Sequence, residues 1–132
     1  MISKTITAIV IDDDITTVEV FSEILELKGF KVIGKGYDGT QAVQLFESLR
    51  PDIVFLDVMM INVDGIAALE YIRKIDPAAV VIMVTADVRN TTEEKLKHLR
   101  PSAVIYKPFD INLLFSTVEN LLKPPQDKTL LM

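Results

Sequence analysis

A chain of 132 residues, 49% apolar and 25% charged, is one globular domain with enough core to fold unaided and not a disordered segment. Its net charge of −5, with no run of lysine and arginine, argues against direct nucleic-acid binding, and the absence of cysteine excludes a disulfide framework or a thiolate metal site. The longest apolar stretch, Ala78–Val84, is too short for a bilayer core of about 30 Å, and the N-terminus lacks the apolar segment of a secretory signal, so the expected setting is the cytoplasm without membrane insertion.

Apolar runs and helical segments alternate five times. Thr7–Ile11 is the first predicted strand and runs into Asp12, Asp13 and Asp14. Asp14 is an N-cap type for a helix carrying Val18, Phe21, Ile24, Leu25 and Leu27, which Gly29 stops. Lys31–Lys35 is a short second strand, weakened by Gly34 and therefore expected near an edge. Asp38-Gly-Thr-Gln41 is a capping signal for a helix bearing Ala42, Val43, Leu45, Phe46 and Leu49, ended by Arg50-Pro51. Ile53–Leu56, the third strand, runs into Asp57. Asp64-Gly65 opens a helix that reaches Ile75 before Pro77. Val80–Val84 runs into Thr85, and Thr91-x-x-Glu94 reads as a capping box for a short polar helix, Thr91–Leu99, before Pro101. Ala103–Tyr106 runs into Lys107, and Asp110 caps a last helix through Leu113, Leu114, Val118, Leu121 and Leu122. The pattern predicts an α/β domain over 1–123, a doubly wound parallel sheet with right-handed crossovers, and a tail or linker start over 124–132.

Open parallel sheets place their chemistry at the carboxyl ends of the strands. Delivered there are a carboxylate cluster, the single acid Asp57, the Thr85 hydroxyl and the Lys107 amine. Carboxylates brought close to one another repel unless a divalent cation lies between them, and Mg²⁺ suits an all-oxygen set with room for phosphate. Asp14 is best explained as a helix cap, which leaves Asp12 and Asp13 for a metal. Asp57 is a candidate nucleophile toward phosphorus, with Lys107 neutralising charge and Thr85 donating a hydrogen bond. His98, the sole histidine, sits in a polar helix and reads as a surface residue; Met59 and Met60 read as loop packing.

These residues resemble the receiver domain of two-component response regulators over roughly Thr5 to Leu122. The segments that carry the likeness are Ala8-Ile-Val-Ile-Asp-Asp-Asp14, Pro51-Asp-Ile-Val-Phe-Leu-Asp-Val-Met-Met60 with Asp64-Gly65, Met83-Val-Thr-Ala86 and Tyr106-Lys-Pro-Phe109. The resemblance implies five strands in flavodoxin-like order 2-1-3-4-5 with five helices. It implies that Asp57 accepts a phosphoryl group from a sensor histidine kinase or phosphotransfer protein. Mg²⁺ would be bound by Asp13, Asp57 and the Met59 carbonyl, with Asp12 contributing directly or through water, and the Lys107-Pro108 bond would be cis. It implies a regulatory domain rather than an enzyme, with a switch built on Thr85 and output to an unnamed protein target through helix 4, strand 5 and helix 5. A homodimer through that face is a further implication.

Three positions depart from the family pattern. Ile61 stands where many receivers have proline, and Arg100-Pro101 stand where Gly-Ala is common. The usual switch aromatic, three residues before the lysine, is Val104; Tyr106, on the same strand face by period two, is expected to take over part of that role. A haloacid-dehalogenase-type phosphatase using Asp12 and Asp14 is the rival enzyme reading, but no acidic metal motif follows Lys107 and Asp57 is left unexplained. A receiver-fold scaffold acting without phosphorylation is the rival binding reading.

Overall fold

Because successive side chains of a strand point to opposite faces, the apolar runs of this chain supply two cores at once. The computed structural model describes residues 5–60, 63–86 and 90–122. Among these, strands β1 (Thr7–Ile11), β2 (Lys31–Gly36), β3 (Ile53–Asp57), β4 (Val81–Thr85) and β5 (Ala103–Tyr106) alternate with helices α1 (Ile15–Leu27), α2 (Gly39–Leu49), α3 (Gly65–Ile75), α4 (Asn90–Leu99) and α5 (Ile111–Leu122). The strands are parallel, in order β2-β1-β3-β4-β5. Ile9, Ile11, Val54, Leu56, Val81 and Met83 pack beneath α2, α3 and α4, against Phe46, Leu69, Ile72 and Leu96. Ala8, Val10, Ile53, Phe55, Ile82 and Val84 face α1 and α5, against Phe21, Leu25, Leu114 and Val118.

The caps follow the sequence closely. Asp14 accepts from the Thr16 and Thr17 amides, Asp38 from Gln41, Asp64 from Ala67 and Asp110 from Asn112. Gly29 takes φ 94 after α1, while Arg50 and Arg100 adopt φ 44 and 51 after α2 and α4. Left-handed geometry at Arg100 is where glycine fits most easily, so the departure there carries a small backbone cost. Its carbonyl is held by the Arg73 guanidinium of α3, at 3.0 Å from Nη2, while Nη1 reaches Ala79 O at 2.6 Å.

Strand β2 is an edge strand, as its Gly34 predicts. Its edge is guarded: Glu26 accepts the Val32 amide at 3.1 Å, and Lys35 pairs with Glu19 at 3.1 Å. At the sheet's opposite end from the carboxylates, Asp52 accepts from the Thr7 amide and hydroxyl, joining β1 to β3 where the strands begin.

Four expected boundaries need correction, two of them by extension: β2 runs on past Lys35 to Gly36, and β3 past Leu56 to Asp57. Strand β4 lies one residue later than Val80–Val84, so Thr85 belongs to it. Helix α4 starts at Asn90, so Thr91 is its second residue and not an N-cap; the cap position falls outside the described residues, as do Ile61 and the tail over 124–132. Among the described residues no helix is long and apolar enough to cross a membrane.

Candidate functional site

Three strands end at one place. Asp12 follows β1 while its own amide still bonds Gly36 O at 3.2 Å, so its side chain is held inward and is 5% exposed. Asp57 closes β3 and is 7% exposed. Asp13 stays exposed, yet carboxylate oxygens of Asp12, Asp13 and Asp57 all lie within 4.8 Å of one another. From the end of β5, Lys107 Nζ reaches Asp12 Oδ2 at 2.8 Å and Asp57 Oδ2 at 3.6 Å. Backbone amides complete the frame, Asp14 N–H donating to Asp12 Oδ1 at 3.0 Å and Met59 N–H to Asp57 Oδ1 at 3.4 Å.

The electrostatics are those of an under-compensated acid cluster. Burial, then the charge of Asp12, pushes the Asp57 carboxyl up to about 6, against the pull of Lys107 and the Met59 amide. Burial works against the Lys107 charge, but its hydrogen bond to Asp12 and the nearby charge of Asp57 hold the ammonium above the usual lysine range. One lysine faces three carboxylates. An all-oxygen, anionic donor set of this spacing fits a hard divalent cation such as Mg²⁺, which takes one or two protein carboxylates and fills its remaining positions with water or phosphate oxygens.

Thr85 is fully buried and follows Val84, the register partner of Asp57. Its carbonyl accepts the Lys107 amide at 2.8 Å, which ties the hydroxyl-bearing and amine-bearing strand ends together. Thr85 pairs in register with Tyr106, whose hydroxyl donates to Glu93 of α4 at 3.3 Å. Val104, two residues back on the same face, packs half-buried on the core beneath α4. The Lys107-Pro108 bond is cis. Phe109 beyond it meets Phe21 edge-on at 5.5 Å, and Phe21 meets Phe55 at 5.0 Å, so three rings floor the site on the α1 side.

The structure thus gathers Asp12, Asp13, Asp57 and Lys107, with Thr85 adjoining. Asp14 stays apart: its carboxylate is engaged by the Thr17 hydroxyl and the Thr16 and Thr17 amides, which hold it below the usual carboxylate range. That removes an acid the phosphatase reading needs. His98 is exposed on α4. Met60 packs in the core as expected, but Met59 is 51% exposed, a single outward-facing residue between buried Val58 and Met60. Sequence reasoning missed the glycine contacts behind the site. A side chain at Gly65 would collide with the Asp57 carbonyl, and the only signal was its place after the Asp64 cap.

A family model described as the response regulator receiver domain matches residues 8–119. Protein CcdB of Bacillus subtilis (strain 168) is 34% identical over 117 residues, covering 88% of this chain and 98% of that protein. The chemotaxis protein CheY of the same organism is 29% identical over 114 residues, covering 86% and 95%. Among solved structures, the CheX–CheY–BeF3–Mg²⁺ complex from Borrelia burgdorferi is similar with a TM-score of 0.84 and 28% identity, over 90% of both chains. Each likeness spans nearly the full length of both partners, so it covers the whole fold and not a motif alone.

Proposed function

This chain belongs to the response regulator receiver domain family, and from that premise we propose that residues 1–123 form a switch whose phosphoacceptor is Asp57. Receiver domains are regulatory phosphoacceptor domains and not true enzymes. The observation that carries the residue assignment is the meeting of three carboxylates with one ammonium at the ends of β1, β3 and β5.

In the proposed reaction an Asp57 carboxylate oxygen attacks the phosphorus of a phosphohistidine on a sensor histidine kinase or phosphotransfer protein. The P–N bond breaks, its electron pair leaves with the imidazole, and an acyl phosphate remains. Near neutral pH Asp57 is mostly ionised despite its raised pKa of about 6, so it is available as nucleophile. Asp12, Asp13, Asp57 and the Met59 carbonyl would hold Mg²⁺, which supplies neutralisation of the charge on the transferred group. Lys107 offsets the rest, and the Thr85 hydroxyl donates to a phosphoryl oxygen.

Phosphorylation adds charge and acceptor oxygens at Asp57, and Thr85 and Lys107 respond to them. Thr85 neighbours Tyr106, and Tyr106 bonds Glu93, which supports passage of the change to α4. Output to a protein target then runs through α4, β5 and α5, a face that also suits a homodimer. The relative crystallised with BeF3, Mg²⁺ and CheX supports both a metal and a protein partner. The proposed setting is the cytoplasm, and 124–132 a tail or linker start.

Incubation with acetyl phosphate and Mg²⁺, followed by intact-mass analysis, tests this reading. One added phosphate is expected, lost on chelation of Mg²⁺ and in Asp57→Asn. No adduct and no beryllofluoride binding would favour the phosphorylation-independent scaffold. Steady phosphate release that survives Asp57→Asn but not Asp12→Asn would restore the phosphatase.

A further inference from the structure

Helix α3 meets the strand that ends in Asp57 at one end and the close of α4 at the other. Its first residue, Gly65, donates its N–H to Val58 O at 2.9 Å, and a Cβ there would collide with the Asp57 carbonyl. About two turns later, Arg73 spreads its guanidinium between two carbonyls. Nη1 reaches Ala79 O at 2.6 Å, while Nε and Nη2 reach Arg100 O at 3.3 and 3.0 Å. Arg100 closes α4, its N–H donating to Leu96 O at 3.0 Å, and its φ is 51. A planar fork of several donors fixes two turns against each other as a single donor does not. A second tie crosses the same seam without touching α4: the Ser102 hydroxyl accepts the Val81 N–H at 2.9 Å, and the Ser102 N–H donates to Val81 O at 2.8 Å. The first half of α4 is joined to β5 differently, through the surface bond of Tyr106 to Glu93 at 3.3 Å.

We propose that Arg73 is a positioning residue for output: it fixes the C-terminal end of α4 to α3 and confines the response of α4 to its first half. The proposal rests on the reading that phosphorylation of Asp57 reaches α4. A switch moves only those elements whose contacts differ between its two states. Ala79 O and Arg100 O lie just before β4 and β5 begin, at the opposite end of the sheet from Asp57, so an acyl phosphate offers the Arg73 bonds no competing partner. Tyr106 instead stands in register with Thr85, beside the site.

Residue-resolved amide hydrogen exchange, with and without beryllofluoride and Mg²⁺, tests this in wild type, Arg73→Ala and Ser102→Ala at a temperature where all three are folded. In wild type the ligand should change exchange at Glu94 and Lys95 and leave Leu99 and Arg100 unmoved. Without ligand, Arg73→Ala should speed exchange at the Arg100 amide about tenfold, the loss expected of a hydrogen bond to a charged group. With ligand, its response should spread to Leu99 and Arg100. Ser102→Ala weakens the seam without touching Arg100, so it should lower the melting temperature and keep the wild-type pattern. A wild-type response as large at Arg100 as at Lys95 would overturn the proposal, as would an Arg73→Ala response still confined to the first half. The same spread in Ser102→Ala would trace it to a weak seam and overturn the role of Arg73. Beryllofluoride binding with no change anywhere in α4 would overturn the α4 output reading and this proposal with it, and absence of binding would overturn the phosphoacceptor reading beneath both. Should Arg73→Ala not fold, Arg73→Lys takes its place, because an ammonium lacks the planar fork, and an unaltered pattern there overturns the proposal.

Discussion

At Asp57, burial and the neighbouring carboxylates disfavour the charge that the proposed phosphoryl transfer needs, while Lys107 and the Met59 amide favour it. The balance leaves its pKa at about 6 in the folded chain, against an ordinary 3.8. Between those values the native state holds a proton that the unfolded chain has released. The contribution to stability is therefore present below pH about 4 and is lost as pH rises through 6. Asp57→Asn removes that titration, so the metal-free variant should exceed wild type in stability by on the order of 2 kcal/mol at pH 7.5 and match it near pH 4. Added Mg²⁺ should stabilise wild type and leave the variant almost unmoved if Asp57 is one of its ligands, as proposed. Urea unfolding across that pH range, with and without Mg²⁺, checks both; a wild type as stable as Asp57→Asn at pH 7.5 without metal would contradict the first.

Among the described residues, helix α4 has a thin hold on the core. Thr92 and Leu96 are buried and Leu99 is half-buried, while most of its remaining residues face solvent. Its C-terminal end is nonetheless anchored, because Arg73 holds the Arg100 carbonyl. Glu93, toward the other end, is joined to β5 by the Tyr106 hydroxyl at 3.3 Å. Tyr106 thus links α4 to the strand end that neighbours Thr85. Hydrogen exchange of α4, with and without beryllofluoride and Mg²⁺, should change in wild type and change much less in Tyr106→Ala. An undiminished response in Tyr106→Ala would leave the transmitting role to other residues.

Over the whole molecule, what is local was legible and what is long-range was not. The apolar runs and the acid, hydroxyl or amine that ends each one gave the parallel sheet and located Asp12, Asp57, Thr85 and Lys107, because strand period and strand end are written in consecutive residues. Asp14, Asp38, Asp64 and Asp110 were readable as caps for the same reason. The start of α4 was misread because Thr91 and Glu94 fit a capping box while the polar helix offers no apolar stripe to correct the register. Strand β4 starts at Val81 although Val80 continues the apolar run and its carbonyl accepts the Val54 amide at 2.9 Å; the paired residues begin only with Val81. The grips of Gly65 and Arg73 join residues up to 27 positions apart and depend on backbone atoms, which no side-chain pattern announces. The claim that ties these scales together is that the phosphoryl group goes to Asp57. Its most direct test is borohydride reduction after acetyl phosphate treatment with Mg²⁺, which converts an aspartyl phosphate to homoserine that peptide sequencing by mass spectrometry can place. Homoserine at position 57, appearing only with Mg²⁺, is the result the account predicts; homoserine at Asp12 or Asp13, or at no position, would contradict it.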